Sequence, residues 1–336
     1  MKYTEGSGSI LKSRFARGLF PLVAALLAFA LAAPEACGEV LVYEGFDPAD
    51  YNNVGDDTQM TPSGANVTGD HTVGLLTGAW QMNGSQPKVY GASYGLALPS
   101  EMTVAGFSAL GGSIGLNPDG NNDALRSMSH ALVSDTLKVS SGTLYLRMLL
   151  TLDDNAAGKL VSGTSLAEKD GGYFGFGLTT GTTDCYLLTK SAASLAFVIW
   201  KKASNQYVLS LAHTTAAGTA FTSYPLVTGI TLGTTYICYA EIQVGAGADG
   251  KEILRAGAMA VDDYTKETPW ATLDGSSDSV EVELITDSTY PTSIAVAGPY
   301  GTNGGRFRAD ELVVGTDLSD ILLVNTTKKG FMVIVR

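Results

Sequence analysis

Carboxylic acids two residues apart are the first feature of this sequence that could do chemistry. In the string EVELITD, Glu281 and Glu283 occupy alternate positions, and Asp287 follows them. Alternate residues of a β-strand point to the same face, so the two glutamates would share a face. A retaining glycosidase needs two carboxyl groups about 5 to 5.5 Å apart, one of them protonated. The string lacks an Asp between the glutamates and follows the turn-like DGSSDS, so we interpret it as the solvated face of an edge strand.

A second acidic pair, Asp310 and Glu311, lies in the strand-like segment RADELVVG. Neighbouring residues of a strand point to opposite faces, so these carboxylates are not expected to act together on one substrate atom. We expect a structural role, in which one carboxylate accepts hydrogen bonds from the backbone or from Arg306 or Arg308. Contact with a ligand is the alternative.

Oxygen donors at alternate positions mark the segment NPDGNND, which contains Asp119, Asn121 and Asp123. Calcium binds several such oxygens converging from loops. The segment lacks the bidentate Glu of a calcium-binding loop, and an ordinary Asn/Gly-rich turn explains the same residues. We expect no cofactor and keep calcium as an alternative, bound here or at Asp153 and Asp154.

Aromatic residues in or beside glycine-rich loops could form a sugar-binding platform. These residues are Trp80, Tyr90, Tyr94, Trp270 and Tyr300. Exposed aromatic rings next to Asn, Asp or Gln are typical of carbohydrate sites, but an aromatic beside a turn is more often part of the core. We predict the five as candidate ligand-binding residues.

The histidines and cysteines offer little catalytic chemistry. His71, His130 and His213 are far apart in the sequence, and no G-x-S-x-G elbow is present, which argues against a Ser-His-Asp site. Cys185 and Cys238 lie in apolar, strand-like runs. They would form a disulfide in an oxidising compartment or remain buried thiols.

The N-terminus resembles a secretory leader. Four basic residues precede the uncharged run LFPLVAALLAFALAA at 19–33, which is the order found in signal peptides. The run is shorter than the roughly 20 residues needed to span a membrane. We predict a signal peptide at 1–38, a secreted or cell-surface protein, and no stable membrane span after cleavage.

Charge limits the partners of the chain. The 336 residues include 33 acidic and 21 basic side chains, a formal net charge of −12. Such a surface repels phosphate backbones, and no basic cluster offsets it, so we exclude nucleic-acid binding.

Short apolar or alternating segments recur along the rest of the chain, and none shows helical periodicity. Predicted strands cover 40–46, 78–82, 125–132, 143–152, 173–179, 185–189, 196–201, 207–212, 235–244, 253–261, 280–286, 293–298, 306–314 and 331–335. With no shift in composition, residues 39–336 are predicted to form a single β-sandwich domain. The last strand would pair beside the first, although an export or assembly signal is an alternative for the same residues.

Several segments resemble, in order, a family of secreted bacterial proteins with a LamG or concanavalin A-like sandwich, whose members are mostly uncharacterised. They are LVYEGFD at 41–47, GAW at 78–80, ALRSMS at 124–129, SGTLYLRMLL at 141–150, GGYFGFGL at 171–178, LGTTYICYAEI at 232–242 and RADELVVGTDLSDI at 308–321.

The resemblance implies an all-β fold: an antiparallel two-sheet jelly-roll sandwich preceded by the signal helix. Relatives of this wider fold include lectins, glycan-binding modules and glycoside hydrolases, but a fold alone does not determine function. The leading hypothesis is a non-catalytic extracellular or cell-surface module that binds carbohydrate. The alternatives are a structural or adhesive surface protein without a small ligand, and a glycoside hydrolase or polysaccharide lyase.

Overall fold

The computed structural model describes seventeen stretches of the chain. They are residues 38–46, 58–59, 81–83, 87–90, 102–104, 113–116, 125–133, 135–158, 160–166, 172–181, 187–188, 193–202, 206–215, 221–265, 267–285, 290–299 and 307–325. The predicted signal peptide, except for Gly38, and the predicted strand at 331–335 lie outside these ranges and stay predictions. Within the ranges, no helix has both the length and the apolar character needed to cross a membrane.

Strands dominate the described residues. The first nine are β1 (Val40–Glu44), β2 (Thr58–Gln59), β3 (Gln81–Asn83), β4 (Pro87–Tyr90), β5 (Met102–Val104), β6 (Ser113–Leu116), β7 (Leu125–Ala131), β8 (Gly142–Leu152) and β9 (Phe174–Thr179). The next nine are β10 (Ser194–Lys202), β11 (Gln206–Thr214), β12 (Phe221–Thr228), β13 (Thr235–Val244), β14 (Glu252–Ala260), β15 (Ser279–Val282), β16 (Ser293–Pro299), β17 (Phe307–Gly315) and β18 (Leu323–Asn325). Two α-helices lie in the described ranges, α1 (Asp154–Ala157) and α2 (Leu318–Ile321), and each is about one turn long.

Two large sheets form the sandwich. The nine-stranded sheet has the order β15-β14-β13-β8-β17-β6-β4-β2, and β1 also pairs with β17. The seven-stranded sheet has the order β12-β11-β10-β9-β16-β7-β3, and β5 pairs with β18 in a small third sheet. Pairs of named strands in the described ranges are antiparallel, and strands far apart in sequence, such as β8 and β17, lie side by side. These observations confirm the predicted fold class, an antiparallel two-sheet jelly-roll sandwich.

Alternation along each strand builds the interior between the sheets. On β8, Leu146, Met148 and Leu150 point into the main core, whereas Arg147 and Leu149 point to the opposite side. We call the side of each sheet that faces away from the other sheet its outer face. The outer faces carry apolar clusters of their own, so the central strands are buried on both sides.

The strand predictions fail at several places, and the short strands β2, β4, β5, β6 and β18 lie outside every predicted segment. Leu187 and Leu188, predicted to lie in a strand at 185–189, form a turn. The edge strand β12 was not predicted, because it contains Pro225, and proline in a strand is confined to edges and bulges. By contrast, β10 and β11 pair antiparallel, as do β13 and β14, and all four overlap predicted strands.

Candidate functional site

A groove with a cavity volume of about 240 Å³ lies on the outer face of the seven-stranded sheet, beside the edge strand β12. Its floor is apolar and is formed by Leu166, Trp200, Val208 and Pro225. Trp200 and Val208 face each other across β10 and β11, and both belong to the apolar cluster on this face. We call this feature the Trp200 groove.

The rim of the Trp200 groove is polar. It is lined by Thr164, Ser165, Ser223, Thr228 and Lys202. A hydroxyl group both donates and accepts hydrogen bonds, whereas an ammonium group only donates them. Among the described residues that line the groove there is no acid and no histidine. The groove therefore offers a small apolar floor surrounded by hydrogen-bonding groups.

Two sets of contacts fix the shape of the groove. Trp200 is only 6% exposed, and its indole Nε1 donates a hydrogen bond to Ser210 Oγ at 3.0 Å. The backbone N–H of Gly163 donates to the carbonyl of Lys201 at 3.0 Å, which holds residues 164–166 beside the end of β10. Because both the floor and this wall are held by hydrogen bonds, little ordering is needed before a ligand binds.

The centre of the same outer face is covered by the chain itself. Its small buried residues are Ser127, Ser129, Ala196, Ser210, Ala212, Ala295 and Ala297. Leu187 and Leu188 pack against this surface, and the hydroxyl of Ser194 donates to the backbone carbonyl of Leu187. The centre of this face is therefore covered, whereas the Trp200 groove beside it forms a cavity.

A buried charged cluster lies on the outer face of the nine-stranded sheet. Arg147 is fully buried there, opposite Tyr239 on β13 and Val313 on β17. In the described part of the chain, none of its three side-chain nitrogens has a hydrogen-bond partner. Burial lowers the pKa of Arg147, and the charge of Glu311 opposes that shift. We call Tyr43, Arg147, Asp310 and Glu311 the Arg147 cluster.

Strand alternation breaks at the acidic pair of this cluster. The pairing of β17 with β8 shifts register between Asp310 and Val313, and Glu311 has a φ angle of 52°. Glu311 accepts the Tyr43 hydroxyl at 3.1 Å, and burial followed by the charges of Glu311 and Asp310 raises the pKa of Tyr43. The charges of both carboxylates therefore reach the Tyr43 hydroxyl. That they do not act together on one substrate atom stays a prediction.

The structural role predicted for the acidic pair is confirmed in one respect. Asp310 Oδ1 accepts the backbone N–H of Glu311 at 2.8 Å. Arg308 forms an ion pair with Asp153 at 3.3 Å, and Arg306 lies outside the described residues. Since Asp310 and Glu311 are both about 1% exposed, they are closed to a large ligand.

The calcium hypothesis receives no test at its main location. Asp119, Asn121 and Asp123 lie outside the described residues. Asp153, part of the alternative location, is engaged with Arg308. Across the described ranges, no three His, Cys, Asp or Glu side chains are grouped so that they could hold a metal ion.

A larger cavity, of about 420 Å³, lies at one end of the sandwich near Ser140, Lys251 and Glu283. Glu252 lines it but is buried, and its carboxylate accepts the backbone N–H groups of Leu284 at 2.8 Å and Ile285 at 3.2 Å. This carboxylate therefore holds the chain segment that follows β15.

The predicted edge strand of EVELITD is confirmed, because β15 lies at the edge of the nine-stranded sheet. Glu281 and Glu283 are both exposed. Glu281 Oε1 accepts the backbone N–H of Ala248 at 3.1 Å, which is a loop-holding contact. Asp287 lies outside the described residues.

Of the predicted aromatic platform, Trp270 is described with its side chain. It is half-buried, its ring centroid lies 4.6 Å from the Arg255 guanidinium carbon, and Tyr239 meets it edge-on at 5.5 Å. One face of the indole is thus already occupied by the guanidinium group. Trp80, Tyr94 and Tyr300 lie outside the described residues.

The strand order separates Trp270 from Tyr90. The backbone beside Trp270 is bonded to β14 through Ala271 N–H and Ala256 O at 2.8 Å, and Tyr90 is the last residue of β4. Four strands lie between β14 and β4, a distance of roughly 24 Å at about 4.8 Å per strand. These two residues do not belong to one compact platform.

The three remaining candidate nucleophiles and bases that the structure describes are buried. His130 and His213 lie on β7 and β11, and burial lowers the pKa of His213 to about 4. Cys238 is a buried free thiol whose pKa is raised by burial, which supports the thiol alternative over the disulfide. His71 and Cys185 lie outside the described residues.

The sequence predicts the strand that carries Trp200 but not the groove. The segment SLAFVIWKK places Ala196, Val198, Trp200 and Lys202 on one face by alternation, and this rise in side-chain size was the available signal. The other walls come from residues 164–166 and from β12, which are distant in sequence. No single motif could therefore reveal the groove.

The fold and the groove together define a jelly-roll β-sandwich protein with a small polar-rimmed groove on one outer sheet face. No protein-family model and no curated protein matches this sequence.

Among solved structures, the alginate lyase Aly36B, as a mutant with alginate trisaccharide, shares 13% identity at a TM-score of 0.39, covering 79% of this chain and 95% of the lyase. The calreticulin globular domain of T. cruzi shares 12% at a TM-score of 0.38, covering 83% and 88%. A legume lectin-like domain from Entamoeba histolytica shares 11% at a TM-score of 0.34, covering 68% and 89%. At such low identity and TM-score, no property of these proteins is transferred to this chain. The LamG resemblance likewise stays a prediction.

Proposed function

We propose that this protein is a non-catalytic, carbohydrate-binding β-sandwich module that acts outside the cell or at the cell surface. The Trp200 groove is the observation that carries the proposal. Export rests on the leader-like sequence at 1–38.

The composition of the groove suits a sugar. A pyranose ring has apolar C–H faces and a perimeter of hydroxyl groups, so its site combines an apolar surface with a few placed polar groups. Leu166, Trp200 and Val208 supply the apolar surface, and Ser165 and Thr228 are among the hydroxyl-bearing residues beside it. The volume of about 240 Å³ lies below the roughly 300 to 1,000 Å³ of sites for drug-sized ligands. The groove would therefore hold a short part of a longer glycan.

Binding is favoured over hydrolysis by the groove's chemistry. Retaining and inverting glycosidases both require two carboxyl groups flanking the scissile bond. The described lining of the groove contains no carboxylic acid and no imidazole. The carboxylates of the Arg147 cluster are buried on the outer face of the other sheet.

Glycan-array binding of the purified protein tests the proposal, with a groove-filling variant and a matched control. Ser165→Trp adds a large side chain at an exposed position of the groove rim, and Ser140→Trp makes the same change at the exposed edge of the other cavity. We expect the parent protein and Ser140→Trp to bind the same glycans, and Ser165→Trp to lose that binding with an unchanged melting temperature.

Two results would contradict the proposal. The parent protein could bind no glycan, which leaves the structural or adhesive role, or Ser165→Trp could bind as the parent does. Trp270→Ala tests the competing aromatic platform in the same assay, since loss of binding there would move the site to the nine-stranded sheet.

A further inference from the structure

We infer that the glycan bound in the Trp200 groove is acidic, with a carboxylate or sulfate group that meets the ammonium of Lys202. This inference rests on the proposed function and adds the charge of the ligand to it. Two observations support it: the charge of the side chains that line the groove, and the fact that several other described cations already have partners.

Lys202 is the charged residue of the groove's described lining. The chain has 33 acidic and 21 basic side chains, so a lining chosen at random from its charged residues would more often contain a carboxylate. Here the acids are absent from the described lining and a cation is present. A neutral ligand requires no cation, whereas an anionic ligand gains a charge-assisted hydrogen bond from it.

Several other described cations are occupied elsewhere. Arg255 pairs with Asp278 at 2.7 Å, and Arg308 pairs with Asp153 at 3.3 Å. The neighbouring Lys201 places its Nζ 5.8 Å from the centroid of the Tyr207 ring. Lys202, by contrast, is exposed and makes no ion pair within the ranges that the structure describes. Its ammonium is therefore available to a ligand.

The position of Lys202 relative to the floor fits one sugar unit. Lys202 follows Trp200 by two residues on the same strand and the same face, a spacing of about 6.6 Å along β10. A ring resting on the Trp200 and Val208 floor would place a ring substituent near the lysine. The other wall, at Thr164 and Ser165, offers hydroxyl groups to the opposite side of the ring.

Pairs of glycans that differ only in their anionic groups separate the effect of charge from that of the sugar chain. The probes are polygalacturonate against its carboxyl-reduced product, and a sulfated galactan against its desulfated form, measured by calorimetry at equal concentration of sugar units. We expect the full protein to bind at least one acidic form about tenfold more tightly than its neutral counterpart. The pair that shows the difference identifies whether carboxylate or sulfate is the anionic group.

Substitutions at Lys202 then assign the preference to the groove. Lys202→Gln should reduce the acidic-to-neutral ratio to about one, and Lys202→Arg should retain it because the charge is kept. Lys251→Gln, at the other cavity, should leave the ratio unchanged.

The outcomes distinguish this inference from the proposed function. Equal binding of acidic and neutral forms, blocked by Ser165→Trp, would overturn the inference and leave the proposed function standing. A preference that survives Lys202→Gln would also overturn it. Absence of binding to every glycan would overturn both.

Discussion

On the outer face of the nine-stranded sheet the buried side chains are large, whereas those at the centre of the opposite outer face are small. Tyr43, Arg147 and Tyr239 fill the first face. Ala196 and Ala212 are typical of the second, where the layer above is supplied by the turn at Leu187 and Leu188. One face is filled by its own side chains, and the other by a separate piece of chain.

This difference explains where the groove lies. A surface of small residues lets another piece of chain approach closely, and Leu187 and Leu188 pack on the centre of the seven-stranded sheet. Along β10 the side chains on this face grow from Ala196 through Val198 to Trp200. The groove lies beyond the covered centre, where Trp200 is large enough to form a floor. On the opposite sheet, Gly257 leaves space for the Tyr239 ring, because a Cβ at Gly257 would overlap that ring.

Removing a large side chain should damage the nine-stranded face most. Tyr239 is 1% exposed, contacts Trp270 edge-on, and donates its hydroxyl to Pro269 O at 2.8 Å. We expect Tyr239→Ala to lower the free energy of unfolding by about 3 to 5 kcal/mol through the cavity that it leaves. Urea unfolding at pH 7 measures the loss. Tyr239→Phe, which keeps the ring, should lose much less stability. Equal losses for the two variants would contradict the conclusion that large side chains fill this face.

Both sheets enclose one interior, and His213 lies in it. Its protonation makes the free energy of unfolding depend on pH, so the variants on the two faces are compared at pH 7. His213 points inward from β11, stacks on Tyr224, and burial lowers its pKa to about 4. In the unfolded chain the pKa is about 6.5. Below that pH the unfolded state takes up a proton that the folded state does not, so stability falls as the pH drops from about 6.5 to about 4.

The full contribution of His213 across this window is about 3 kcal/mol. Urea unfolding at pH 7 and at pH 4.5 gives the loss of stability on acidification for the parent and for His213→Gln. The difference between the two losses is the contribution of His213, because the other titrating groups affect both proteins alike. We expect the variant to lose less stability on acidification. An equal loss in the two proteins would show that His213 is protonated normally in the folded state.

The sequence predicts the layers of this fold better than their outer surfaces. The bounds predicted for β13 are those observed, because alternation and a Gly-rich turn mark it clearly. Alternation says which residues share a face, but it does not say what covers that face. The apolar sequence around Leu187 and Leu188 therefore predicts a strand where the structure has a turn, since apolar residues that cover a sheet resemble those that form one.

The candidate site was harder to predict for the same reason. Trp200 was placed on its strand, but the walls of the groove come from residues 164–166 and from β12, and their proximity is set by tertiary structure. The break in alternation at Glu311 was also missed, because a positive φ angle is uncommon for any residue but glycine. Nothing in the local sequence RADELVVG predicts this positive φ angle at Glu311.

Enlarging a small residue should damage the seven-stranded face by the opposite mechanism. Ala196 is fully buried, and a Cβ on the adjacent Gly177 would already lie 2.8 Å from the Ala196 methyl. We expect Ala196→Leu to cost about 1 to 3 kcal/mol through overpacking, measured by urea unfolding. Ser223→Leu, at the half-buried groove rim of the same face, should change stability by about 0.5 kcal/mol or less. If both variants are neutral, the covering segment is not closely packed.

The smallest expected effect separates packing from charge within the nine-stranded face. Tyr43→Phe keeps the buried ring and removes the hydrogen bond to Glu311, which measures 3.1 Å. A net loss of about 1 kcal/mol is expected for such a bond. A double-mutant cycle with Glu311→Leu isolates the pairwise part, because Leu removes both acceptor oxygens while keeping a large side chain at this residue with positive φ. If the two substitutions are additive, the hydroxyl and carboxylate are independent, and large side chains alone account for the stability of this face.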